Sequence, residues 1–392
     1  MRRSPCLPVK MKPGHVTPTP STLLGVALLG VTLLATATVT LAPNSAQAKP
    51  AEVKVGGMMQ LRYGYAPAVD DPSTGVDEGA GDPLNSFALR RGRIRLKASR
   101  HGFKLSGGFD FSKGEPRLLS LYLLAPLPLE FELRVGQTKR LLTQSYLASS
   151  TVQRMIERSP IGDQVGSNRD VGLRLRRRFF AKFVDVNLAL FNGNGANTVE
   201  NDTGGLLVEG RVDLHLLRRL DLTDATLGNK PAFVIGGAVA RGPVRAQRSK
   251  SGVQLTRIDV SQAWSVHAGA RWQGVELSAE LLWHDLTPKD DRADQSTPLG
   301  IDATQEGGWS AQLAWQPPAL QRRLEVSGRI VQWQDKRGDA DSGIEELEAC
   351  VGWRFDGDRL KLQTAWRRKT AHRAGGVSFS TNRLQLQLQA EM

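Results

Sequence analysis

Cations recur at every second position in Phe87-Ala-Leu-Arg-Arg-Gly-Arg-Ile-Arg-Leu-Lys-Ala-Ser99: Arg91, Arg93, Arg95 and Lys97. In an extended chain, alternate side chains share a face and stand about 6.6–6.8 Å apart along the strand. These four therefore form one row, with Ile94, Leu96 and Ala98 on the opposite face. Arg174, Arg176 and Arg178 make a second row opposite Val171, Leu173 and Leu175, and Arg134 and Lys139 lie in the segment before it. A guanidinium is a planar fork of donors that matches carboxylate and phosphate. A row of them along a narrow wet passage replaces part of an anion's lost hydration and repels cations. The competing arrangement is pairing within the wall, because Asp110, Glu130, Glu132, Asp170 and Asp185 have the same parity as the cations.

Such rows need long, two-faced strands, and the chain supplies them about sixteen times. The pattern is plainest in Asn382-Arg-Leu-Gln-Leu-Gln-Leu-Gln-Ala-Glu-Met392, where Leu384, Leu386 and Leu388 alternate with Gln385, Gln387 and Gln389. Period-2 alternation describes a strand with one apolar and one wet face. Strands are expected near 53–66, 86–99, 102–112, 118–125, 129–139, 169–178, 182–191, 206–216, 231–241, 263–272, 274–284, 307–316, 322–333, 344–355, 358–368 and 381–392. Short turns alternate with long connections at 67–85, 140–168, 242–262 and 285–306, the rhythm of an outer-membrane barrel with lipid outside and water inside. The segment 217–230 departs from it, being long where a short turn is due. All eight tryptophans fall between 264 and 366, and seven have the apolar parity, which suits an interfacial girdle; Trp333 has the lumen parity.

Residues 1–48 read as a secretory signal peptide. Arg2, Arg3, Lys10 and Lys12 precede an apolar run from Leu23 to about Leu41 and an Ala46-Gln47-Ala48 cleavage pattern. Residues 49–392 then form a single transmembrane barrel domain. The net charge of +13 falls to +9 once those four cations leave with the leader. Cys6 leaves too, so Cys350 remains alone and a disulfide-stapled scaffold is excluded. The connection 140–168 is expected to fold inward and narrow the pore. Within it Ser145–Arg158 has the pattern of a short amphipathic helix ended by Pro160, and Arg154, Arg158 and Arg169 would bring positive charge to the constriction.

Taken in order, Phe87 to Ile94, Val135-Gly-Gln-Thr-Lys139, Ser145 to Arg158 with Ile156-Glu-Arg-Ser159, Arg169-Asp-Val-Gly-Leu173, Leu190-Phe-Asn-Gly193 and Arg383-Leu-Gln-Leu-Gln387 resemble the phosphate-selective porin family (porin O and P type). The resemblance implies a sixteen-stranded homotrimeric barrel with an arginine-lined, anion-selective pore. It supports Arg90, Arg91, Arg93 and Lys139 as pore-region cations. The chain departs from that pattern after Lys139, where Arg140-Leu-Leu142 replaces a proline and an aromatic. It departs again at its end, Met392 in place of phenylalanine.

The combined expectation is an all-β channel in the bacterial outer membrane, in contact with lipid, passing phosphate or similar small anions by diffusion. Its anion-binding, pore-lining residues would be Arg90, Arg91, Arg93, Arg95, Lys97, Arg134, Lys139, Arg154, Arg158, Arg169, Arg174 and Arg176. No cofactor, metal site, catalytic residue or nucleic-acid partner is expected: no phosphate-binding glycine loop or H-E-x-x-H is present, and the cations alternate with apolar residues. A general or sugar-admitting porin of weak selectivity is the alternative. An outer-membrane barrel enzyme is a second, for which Ser265 and His267 share lumen parity but lie on one strand.

Overall fold

Leucines on the outside and glutamines on the inside define the fold. On the last strand Leu384, Leu386 and Leu388 are 49, 40 and 38 % exposed, whereas Gln385, Gln387 and Gln389 are 3, 1 and 0 % exposed. A soluble core would reverse this; a barrel in lipid requires it, since every lipid-facing side chain must be apolar and every backbone polar group must be paired. The computed structural model describes residues 51–67, 84–164, 169–198, 200–218, 220, 227, 230–250, 253–288, 304–337, 340–372 and 378–392. The signal peptide expected at 1–48 lies outside them.

Sixteen antiparallel strands close into one barrel, each paired with its neighbours in sequence and the last with the first. They are β1 Glu52–Ala66, β2 Leu84–Arg100, β3 Phe103–Lys113, β4 Glu115–Pro126, β5 Glu132–Lys139, β6 Arg169–Phe179, β7 Val184–Phe191, β8 Leu207–Leu216, β9 Ala232–Lys250, β10 Val253–Trp272, β11 Val275–Pro288, β12 Thr304–Trp315, β13 Leu324–Arg337, β14 Ala340–Asp356, β15 Leu360–His372 and β16 Ser378–Glu391. Closure sets Leu388 opposite Leu61 and Gln389 opposite Gln60, so the two-faced pattern runs unbroken across the seam. Trp264, Trp272, Trp309, Trp315 and Trp353 are exposed on the outer face, while Trp333 is buried inside against Leu282 and Leu286. Arg177, which has the outward parity at the end of β6, lies over the rings of Phe131 and Phe179 at 4.9 and 4.5 Å. Its charge thus rests on aromatic faces at the rim.

Several connections are shorter than the sequence expectation, among them 334–343, where the β13–β14 ladder runs on to Arg337↔Ala340. The stretch 242–262 is not a loop: β9 and β10 run on to Lys250 and from Val253, in register through Val260↔Pro243 and Val253↔Lys250. Ladder hydrogen bonds hold this tall hairpin, and a part standing clear of lipid needs no apolar alternation to announce it. Pro243 further disguised it, because proline inside a strand pattern usually argues against one. Between β3 and β4 the chain turns on Gly114 alone, at φ +80°. Between β10 and β11, Gln273 and Gly274 both have positive φ, 48° and 82°, as a tight two-residue hairpin turn requires.

Candidate functional site

The segment 140–164 folds into the barrel and is held to the inner wall on many sides; residues 165–168 lie outside the described set. Its two short helices are α1 Gln144–Leu147 and α2 Ile161–Gln164. Glu209 on β8 accepts from Arg140 Nε at 2.6 Å and from the Leu141 amide at 2.7 Å. Glu280 on β11 accepts from the amides of Gln144 and Ser145 at 2.5 and 3.1 Å, satisfying two unpaired donors at the start of α1. Arg154 is buried between Glu325 at 3.1 Å and Glu276 at 3.4 Å. Burial disfavours its charge, but those two carboxylates outweigh it and hold the guanidinium above its ordinary pKa. Leu141, Leu142 and Ile161 pack with Phe191, Leu207 and Leu282 from the wall, and Met155 and Ile156 pack with Cys350 and Ala365.

The helix expected over 145–158 is confined to Gln144–Leu147, and its carbonyls explain why. Lys139 Nζ takes those of Tyr146, Leu147 and Ala148 at 2.8, 2.9 and 3.0 Å. Lys361 on β15 takes those of Thr151 and Gln153, and Gln363 that of Arg154. Gln389 donates to Thr151 O at 3.1 Å and Ser327 to Arg154 O at 3.2 Å. Wall donors thus take carbonyls that a continuing helix would bond to its own amides.

Beside the loop lies a cavity of about 440 Å³, lined by Tyr122, Arg134, Lys139, Arg169, Arg174, Arg176 and, across it, Asp185, Arg211, Asp213, His215 and His267. Two carboxylates face six lysine and arginine side chains, and both carboxylates are engaged. Asp185 is held by Arg176 and lies 3.5 Å from Arg178; Asp213 accepts from Arg211 Nε at 3.0 Å and lies 3.0 Å from His267 Nε2. Arg134 and Arg174 stand directly opposite one another on β5 and β6. Arg174 is buried and bonds only the neutral Asn187 Oδ1, through Nε at 3.1 Å and Nη2 at 2.7 Å. Arg134 lies over the Tyr122 ring at 5.3 Å, and its buried Nε has no hydrogen-bond partner. Neither makes an ion pair among the described residues. Like charges directly opposite on adjacent strands are destabilising, and here neither guanidinium has a carboxylate at ion-pair distance among the described residues.

The twelve sequence-selected cations fall into separate groups. Arg134, Lys139, Arg169, Arg174 and Arg176 meet around the cavity. Lys139 spends its ammonium on the loop carbonyls, and Arg158 joins it by donating to Ala148 O at 2.8 Å while stacking on Tyr146 at 4.5 Å. Arg90 and Arg91 gather on the loop carboxylate Glu157, whereas Arg93 pairs with Asp110 at 2.7 Å and donates to Ser150 Oγ at 2.7 Å. Arg95 pairs with Glu391 at 2.8 Å, and Lys97 is exposed near the barrel end, opposite Lys54. Arg154 anchors the loop as described. Sequence reasoning passed over Arg211, Asp213 and His215, whose shared parity opposite Val212 and Leu214 carried the signal, and Glu157, which sits in the loop where strand parity says nothing. Ser265 and His267 are each engaged elsewhere: Ser265 Oγ donates to Leu142 O, and His267 Nε2 lies 2.8 Å from Arg211 Nη2.

No protein-family model and no curated protein sequence matches the chain. Among solved structures it is similar to the anion-selective porin from Comamonas acidovorans (TM-score 0.58, 12 % identity, 88 % of this chain and 100 % of that one). It is also similar to the outer membrane channel DcaP of Acinetobacter baumannii (0.57, 12 %, 90 % and 100 %). A third is the trimer form of in-vitro folded OmpT, an outer membrane protein of Vibrio cholerae (0.58, 11 %, 88 % and 100 %). Identities this low speak to the fold alone. The chain is a closed sixteen-stranded barrel of the architecture found in outer-membrane porins and channels, and its apolar belt belongs in the bacterial outer membrane.

Proposed function

We propose that the protein is a passive diffusion channel with a preference for small anions, phosphate among them, and that its selective contact is the cavity beside the loop. One observation carries this reading: Arg134 and Arg174 face each other in register without a carboxylate between them. An oxyanion seated there neutralises two charges that the wall leaves uncompensated, in surroundings where low-dielectric walls strengthen the attraction. Arg169 and Lys139 add to the same field, and the inward-folded loop narrows the passage so that ions pass close to it. The similarity to an anion-selective porin supports this reading, and the trimeric neighbour supports assembly as a homotrimer.

A specific observation favours the alternative of a general porin of weak selectivity. Many lumen cations are already paired, as in Arg93–Asp110, Arg140–Glu209, Arg329–Glu348 and Arg354–Glu325. Substituting Arg134→Gln and Arg174→Gln together separates the two readings. In planar bilayers the double variant is expected to lose anion preference with conductance and assembly retained. Unchanged selectivity would place the current path elsewhere.

A further inference from the structure

Glu157 is a carboxylate fitted into a ready-made anion receptor. Arg62 Nη1 lies 2.6 Å and Arg90 Nε 2.8 Å from its Oε1; Arg90 Nη2 lies 2.9 Å and Arg91 Nη2 3.7 Å from its Oε2. Arg90 makes the two-pronged contact by which guanidinium binds carboxylate or phosphate. The arginines belong to the wall, on β1 and β2, and the wall fixes two of them: Arg91 Nη1 donates to Gln60 Oε1 at 2.6 Å and Arg62 Nη2 to Gln387 Oε1 at 3.4 Å. Arg62 and Arg91 make no other ion pair among the described residues. Arg367 and Arg383, directly opposite each other on β15 and β16, add positive charge nearby, with Glu346 at 3.6 Å from Arg367. Glu157 comes from the loop, and Arg329 Nη1 holds its carbonyl at 2.9 Å. Receptor and occupant thus belong to different parts of the molecule. Burial raises the cost of the Glu157 charge, yet the hydrogen bond from Arg90 and the charges of Arg62, Arg90 and Arg91 hold its carboxyl well below the usual range.

We infer that Arg62, Arg90 and Arg91 form an oxyanion-binding site whose resident occupant is the chain's own Glu157. This carboxylate closes the site to diffusing anions. A tethered ligand acts at an effective concentration of about millimolar or more, so a free anion of similar intrinsic affinity competes poorly with it. Glu157 is therefore a specificity-determining residue. It latches the loop and withdraws a second anion site from the pore, on a part of the wall distinct from the Arg134–Arg174 cavity. The inference does not rest on which ions that cavity prefers.

The test uses full-length protein in planar bilayers, with inorganic phosphate titrated into potassium chloride and the fall in chloride current recorded. Glu157→Gln is expected to lower the half-blocking phosphate concentration roughly tenfold or more relative to the unsubstituted protein. Adding Arg90→Gln to that variant is expected to remove the gain. Equal phosphate response with and without Glu157, or a gain that survives Arg90→Gln, overturns the inference. Should Glu157→Gln not yield a folded, heat-modifiable barrel, Glu157→Asp keeps the charge on a shorter arm and is expected to show an intermediate response. A response equal to that of the unsubstituted protein then overturns the inference.

Discussion

Arg134 and Arg174 differ from the other lumen arginines in what faces them. Arg93 has Asp110, Arg95 has Glu391 and Arg154 has two glutamates, whereas the Arg134–Arg174 pair has an amide oxygen and a tyrosine ring. Removing either charge alone, as in Arg174→Ala, is expected to weaken the potential at the cavity by about 1 kcal/mol, roughly fivefold in anion-to-cation permeability ratio. The same change at Arg93 is expected to shift selectivity less, because Asp110 already neutralises it; paired reversal-potential measurements on the two variants check the contrast. This distinction was not legible in the sequence. Parity told which wall each cation faced, and that was enough to select Arg134, Arg174 and Arg176. It could not tell which cations meet a carboxylate, because partners such as Glu391 for Arg95 are brought together only by barrel closure.

At the scale of elements, the loop is the least predictable part and the most densely bonded. Its irregular course follows from wall donors occupying its carbonyls, which no local propensity encodes. Arg154 and its two glutamates are buried, and breaking such a group by removing one partner leaves an uncompensated charge that costs about 3–5 kcal/mol. Glu276→Gln is therefore expected to loosen the loop, seen as increased current flicker in single-channel records. The Glu157 latch has a defined pH response. Its folded carboxyl lies below the ordinary value of 4.5, so its contribution is fully present above that value and is lost only as pH falls through the lower folded one. The difference in loop flicker between the unsubstituted protein and Glu157→Gln is thus expected to be the same at neutral pH and at about pH 5, and a difference that shrinks at pH 5 would mean the carboxylate is not held as described.

At the scale of the whole molecule, the alternation in the sequence specified the barrel because lipid leaves few other solutions. All sixteen expected strands are present, and the differences lie at their ends, chiefly in the β9–β10 hairpin, which continues where the apolar pattern stops. The same parity makes a sharp stability prediction. Leu386→Arg places a charge on the lipid face and is expected to cost about 2–4 kcal/mol if it lies near mid-membrane. The lumen change Gln387→Arg should cost less; urea unfolding from lipid vesicles compares the two. On this reading the barrel conducts, and its uncompensated lumen charge is positive. Single-channel recording across a potassium chloride gradient tests it most directly. The predicted reversal potential has the sign set by chloride, shifting toward zero when Arg134 and Arg174 are neutralised together. A reversal potential of the sign set by potassium would mean that the net lumen charge met by passing ions is negative.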